Sequence, residues 1–108
     1  MKQIEIIMVP VVDQQKAKEF YLKMGFELIM EAPSEHGEMW IQMGLPNSDV
    51  TISLAKFHGI IIETEDIAAK MEELKAKDIK VENMHKTPWG KFAWLKDLDG
   101  NSLCLHQK

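Results

Sequence analysis

Cys104 and His106 stand two positions apart in Ser102-Leu103-Cys104-Leu105-His106, a spacing that puts both on one face of a strand. A thiol beside an imidazole makes a conceivable nucleophile–base pair. A strand cysteine is more commonly a small buried hydrophobe. Glu63 is a general base if burial raises its pKa, and otherwise a solvated carboxylate near a strand end. These three are the weak catalytic candidates. Trp40, Phe92 and Trp94 carry flat faces that suit planar or cationic molecules, each stacking or cation–π contact contributing about 0.5–2 kcal/mol. The competing reading places the same rings in a closed core or a dimer seam. Trp40, Ser53, Phe92, Trp94, Cys104 and His106 together form the candidate ligand-binding set. His36 and His85 read as surface or turn residues, while His58, at a strand start, fits either role.

Composition narrows the classes. The 108 residues are 45% hydrophobic and 28% charged, as in globular domains rather than disordered chains. Thirteen basic against seventeen acidic residues give a net charge of −4, and no basic run points to nucleic acid as a partner. The lone Cys104 cannot form an intrachain disulfide and suits a reducing cytoplasm. The apolar run from Ile6 to Val12 is interrupted by Pro10 and too short to span a bilayer, so a membrane partner is not expected. Eight methionines suggest adaptable packing or a forgiving apolar pocket.

The elements that must position these residues follow one plan twice. A strand over Lys2–Val12 leads to Asp13, a helix N-cap, and to Ala17, Phe20, Tyr21 and Met24 at helical spacing. Gly25 ends that helix, and strands are expected over Phe26–Glu31, Glu38–Met43 and Val50–Phe57, the first two separated by Ala32–Gly37. The second copy starts with a strand over Gly59–Thr64, a cap at Asp66 and an apolar stripe of Ile67, Met71 and Leu74. Strands over Ile79–Met84, Trp89–Lys96 and Ser102–Gln107 complete it. The fold class is therefore α+β, a duplicated βαβββ unit, with one domain over 1–108 built from a module of about 1–57 and another of about 58–108.

Val9-Pro10-Val11-x-Asp13, Ala17, Phe20-Tyr21 and Gly25-Phe26-Glu27-Leu28 resemble the opening of the vicinal oxygen chelate superfamily. This group includes glyoxalase I, bleomycin resistance proteins, fosfomycin resistance enzymes and extradiol dioxygenases. Trp89-Gly90 and Asp97-Leu98-Asp99-Gly100-Asn101 resemble the family's closing hairpin, with Leu98 in place of the usual proline. The resemblance implies two curled mixed half-sheets around a cleft, often in a homodimer. It also implies a divalent metal held by His, Gln or Glu. The corresponding positions here are Ile6, Ser53, Gly59 and Cys104, a set without adequate donors. His58 is the nearest rescue, but strand alternation turns it away unless the register slips by one. No cofactor is expected, a divalent metal being the alternative.

A five-residue loop over 97–101 sets the closing hairpin's register, placing Lys96 opposite Ser102, Trp94 opposite Cys104 and Phe92 opposite His106. Leu95, Leu103 and Leu105 then face helices. In the third strand Met39, Ile41 and Met43 take the helix side, and Glu38, Trp40 and Gln42 the other. The function these readings favour is a metal-free, cytoplasmic, homodimeric module of the bleomycin resistance type, holding a small planar or cationic organic ligand in an aromatic cleft. The alternative is a glyoxalase-like lyase or isomerase, or a transferase, with an atypical or metal-free active site. A scaffold without a ligand is the third reading.

Overall fold

The computed structural model describes residues 1–34 and 38–108, so the reading of His36 as a surface or turn residue, and the second half of the separator before the third strand, lie outside it. The elements are β1 (Gln3–Pro10), α1 (Gln14–Met24), β2 (Glu27–Pro33), β3 (Met39–Gly44), β4 (Thr51–Ala55), β5 (Gly59–Glu63), α2 (Ile67–Ala76), β6 (His85–Thr87), β7 (Gly90–Lys96) and β8 (Ser102–Gln107). Their order is βαβββ twice over, in an α+β fold. The chain divides into two compact units, Ile6–His58 and the pair of segments Met1–Glu5 and Gly59–Lys108.

In the first unit the strands run β2-β3-β4-β1, antiparallel except for the parallel β4–β1 pair. Asp13 caps α1 by accepting from the Lys16 N–H at 3.1 Å, and Gly25 ends it at φ +114°. The core here is Ile41, Met43 and Leu54, against which Ala17 and Tyr21 of α1 pack together with Val11 and Phe26. Phe20 and Met24, expected on the same stripe, are 59% and 61% exposed. One residue advances a helix by roughly 100°, so a stripe centred on Ala17 and Tyr21 leaves Phe20 on the flank. Gln14 reinforces the seating of α1, its Nε2 donating to the carbonyls of Met39 and Leu54, both at 2.8 Å.

In the second unit the order is β5-β8-β7-β6, with β5 and β8 parallel. Asp66 caps α2 through the Ala69 N–H at 3.0 Å. Ile67, Met71 and Leu74 pack on Ala93, Leu95 and Leu105. The strand expected over Ile79–Met84 is absent: Val81 makes a single bridge to Leu95, and the paired strand is the shorter β6. Val81 and Met84 instead lay their side chains on the α2 cluster, so this apolar segment packs without forming a ladder. The Lys2 N–H donates to the Glu63 carbonyl at 2.8 Å, attaching Met1–Glu5 to the second unit.

Two glycines separate strain from collision. At Gly25 an added Cβ would meet nothing within 4 Å, whereas at Gly90, φ +128°, it would stand 2.2 Å from the Gln107 carbonyl oxygen. Gly25→Ala should cost about 1 kcal/mol through left-handed backbone strain alone. Gly90→Ala should cost roughly 3 kcal/mol, since backbone must move as well. Urea unfolding midpoints measure both, and equal losses would contradict the collision.

Candidate functional site

Alternation along β7 and β8 decides which side chains share a face. Lys96 lies opposite Ser102, Trp94 opposite Cys104, and Phe92 opposite His106. The intervening Leu95, Leu105 and Ala93 belong to the α2 cluster, so Phe92, Trp94, Cys104 and His106 share the face turned from the helix. In β5, Ile61 lies opposite Cys104 and Glu63 opposite His106, which adds Glu63 to that face. Trp94 and Phe92 are half-buried, while Cys104, His106 and Glu63 are buried.

His106 is held on three sides. Its Nδ1 lies 2.7 Å from Glu5 Oε1, its Nε2 lies 2.9 Å from the Trp89 carbonyl oxygen, and its ring stacks on Phe92 at 4.3 Å and 4°. A carbonyl only accepts, so Nε2 donates in that bond, and Nδ1 is engaged with the Glu5 carboxylate. Both ring nitrogens are thereby committed to internal partners. Cys104 does not share a hydrogen bond with this ring; its Sγ reaches the Leu105 carbonyl at 3.5 Å. Burial pushes the Cys104 thiol up to about 12, aided by the Glu5 charge. A thiol in that condition is a packing group at neutral pH rather than a nucleophile.

Glu63 has a different set of partners. The Lys108 ammonium lies 3.0 Å from one carboxylate oxygen and that of Lys2 3.4 Å from the other. The Lys108 hydrogen bond is the main cause holding its carboxyl below the usual range, with Lys2 adding to it against the effect of burial. The raised pKa that general-base chemistry would need is therefore not produced. The partners Glu5, Trp89 O, Lys2 and Lys108 were not found by sequence reasoning. One signal was available: Glu5 is a lone carboxylate between Ile4 and Ile6 in an apolar strand.

The first unit presents a smaller set. Trp40 and Gln42 alternate with Met39, Ile41 and Met43, whose side chains face α1, and Gln42 lies opposite Ser53. The Trp40 Nε1–H donates to Gln42 Oε1 at 3.1 Å, and Gln42 Nε2 donates to Thr51 Oγ1 at 2.9 Å. This relay fixes the indole edge. Ser53 is 1% exposed, and no described protein atom is in hydrogen-bond reach of its Oγ. Trp40 and Ser53 thus belong to one unit, and Phe92, Trp94, Cys104, His106 and Glu63 to the other.

The donor set does not fit a family-type metal. Ile6 and Gly59 carry no donor atom, Cys104 is held as a neutral thiol, and Ser53 is a weak ligand. Among the described residues no group of three or more His, Cys, Asp or Glu side chains converges as a metal site. His58 and His85 are exposed. Surface cavities of about 340 and 590 Å³ occur elsewhere in the second unit, one beside Met1, Asp66 and Glu73, the other beside Ile79, Leu98 and Leu103. Neither is lined by the candidate residues. No described helix is long and apolar enough to cross a membrane.

Residues 3–105 match the Glyoxalase/Bleomycin resistance protein/Dioxygenase superfamily, and the chain belongs to that family. It is 29% identical over 119 aligned residues to protein YetH of Bacillus subtilis (strain 168), spanning 99% of each chain. Among solved structures it is similar to methylmalonyl-CoA epimerase from Mycobacterium tuberculosis, with a TM-score of 0.85, 15% identity, and 97% and 87% of the two chains covered. That likeness concerns the fold. The antibiotic-binding protein TnmS3 from Streptomyces sp. CB03234 is 32% identical, with 99% and 96% covered and a TM-score of 0.48.

Two outcomes follow from the second unit's geometry. His106→Ala should lose about 2–4 kcal/mol in urea unfolding, because it takes the imidazole away from the Glu5 carboxylate and the Trp89 carbonyl and removes the ring stacked on Phe92. A loss within the range of an exposed-site substitution would show that this network contributes little. Cys104 should resist a thiol reagent at pH 8 until the protein unfolds. With its folded pKa raised from 9.0 to about 12, the folded state retains a proton that the unfolded chain gives up. Stability should therefore fall as pH rises above 9, by up to roughly 1.4 kcal/mol per unit from this group. The Cys104→Ala variant should lack that component of the slope.

Proposed function

We propose that the protein binds a small organic molecule against the aromatic, non-helical faces of its half-sheets, without a metal, as a module of the glyoxalase/bleomycin resistance type. The observation that carries this reading is the state of the polar groups on those faces. The ring nitrogens of His106 and the carboxylate of Glu63 are committed to internal partners, and Cys104 is neutral. Groups locked in this way shape and rigidify a surface, while proton transfer and nucleophilic attack require groups that can change partners. Half-buried Trp40, Phe92 and Trp94 supply apolar contact area with few polar neighbours, the usual character of a small-molecule site.

Self-association in the cytoplasm belongs to the same proposal. Phe20, Met24 and Ile29 of the first unit are 59%, 61% and 52% exposed, apolar area that a second copy would remove from water. The buried single thiol is compatible with a reducing compartment.

The test is a thermal-shift screen of planar organic compounds, followed by tryptophan fluorescence titration of any that raise the melting temperature. Binding to the native state at a ligand concentration of 100 times Kd should add about 2.7 kcal/mol of apparent stability. Trp40→Ala or Trp94→Ala should weaken the hit by about tenfold, the scale of one lost aromatic contact. Methylglyoxal–thiol adducts should not be turned over, with or without added Ni or Zn. Turnover in either condition would favour the lyase reading, and a screen without a single shift would remove the binding one.

A further inference from the structure

We infer that the Trp40–Ser53 face selects planar molecules that carry no charge and offer a hydrogen-bonding group to the Ser53 hydroxyl. The inference rests on the ligand-binding reading above and narrows its ligand class, separating neutral planar compounds from the cationic ones that aromatic faces alone would also accept.

Charge is the first argument. Across the strands, Trp40 lies opposite Ala32, Gln42 opposite Met30 and Ser53, and Ser53 opposite Met8 on its other side. None of these neighbours ionises. The nearest carboxylate on that face is Glu38, exposed just before β3 and two positions from Trp40, and Glu27 stands farther off, exposed at the strand end opposite Gly44. At those exposed places water and salt screen them from a ring lying on Trp40. A charged ligand there would lose hydration and gain, at most, a counter-ion screened by solvent. A neutral ring loses little and gains the indole face.

Hydrogen bonding is the second. The Trp40 Nε1–H is already given to Gln42, so the indole offers only its π surface. Ser53 is the exception on this face, a buried hydroxyl with an unmet hydrogen bond among the described residues. An unmet buried hydroxyl is a standing penalty that a ligand carbonyl or amide removes. Its lateral neighbour Met8 is unbranched and can rotate aside to admit one, while Gln42 stays in its relay to Trp40 and Thr51. At the position matching Ser53, the second unit holds Cys104, sealed and without an equivalent unmet group.

The test uses three rings of nearly one shape at pH 7: acridone, neutral with a carbonyl and an N–H; 9-aminoacridine, a cation; and acridine-9-carboxylate, an anion. Calorimetric titration of the full chain should give acridone an affinity at least about tenfold above either charged ring, the discrimination expected when only one ligand satisfies a buried polar group. Ser53→Ala should lower acridone affinity by about fivefold or more while the melting temperature of the free protein stays level or rises. Ser53→Thr, which keeps the hydroxyl, should retain more of the affinity. Equal or tighter binding of a charged ring, or an unchanged acridone affinity in Ser53→Ala, would overturn the inference and leave the broader binding function standing. Failure of all three rings would count against the binding function as well.

Discussion

Each half-sheet of this protein has one helix to cover it, and that shortage governs the rest of the structure. A four-stranded sheet has two faces, and burying one against a helix commits every second side chain to the core. The commitment is nearly all apolar: Ile41, Met43 and Leu54 against α1, and Ala93, Leu95 and Leu105 against α2. The alternate residues are left on a face where no helix dictates their type. Trp40, Ser53, Trp94, Cys104 and His106 all lie there, which is why chemistry-bearing residues concentrate on it.

A face of that kind must satisfy its own polar groups, and the two units do so differently. The second unit closes its network. His106 joins the start of β1 to the carbonyl of Trp89, and Gly90 lacks the Cβ that would collide with the Gln107 carbonyl beside it. Glu63 draws in lysines from near both chain ends, Lys2 and Lys108. The first unit links Trp40, Gln42 and Thr51 but leaves Ser53 out. Matching positions of a duplicated unit thus differ, a sealed thiol in one and, in the other, a hydroxyl without a partner among the described residues.

Local rules explain how much of this could be read from the chain. The caps Asp13 and Asp66 declare themselves because a carboxylate before an apolar helical stripe has few other uses. The β7–β8 register follows from a short polar loop, since loop length fixes which residues oppose each other. Where tertiary packing decides, sequence patterns lose their force. Ile79, Val81 and Met84 look like a strand, yet packing on α2 claims Val81 and Met84 before a ladder forms. Phe20 and Met24 fit the helical period and still point outward, because one helix face cannot bury every apolar residue within its stripe. Glu5 and His106 lie 101 positions apart, and no local periodicity connects them.

The distinction between closed and open networks also bears on the positions where the family resemblance would put metal ligands. A bound cation would itself satisfy inward-facing carboxylates and imidazoles, so those residues become costly once it is gone. At the four corresponding positions this chain holds Ile6, Ser53, Gly59 and Cys104, none of which is charged at neutral pH. The nearby ionisable groups Glu5, Glu63 and His106 are paired with protein partners. Such a surface tolerates burial under a neutral ring better than under an ion. The side chains at these positions leave a largely apolar platform, and the Ser53 hydroxyl, without a hydrogen-bond partner among the described residues, is the feature on it that core packing alone would not select.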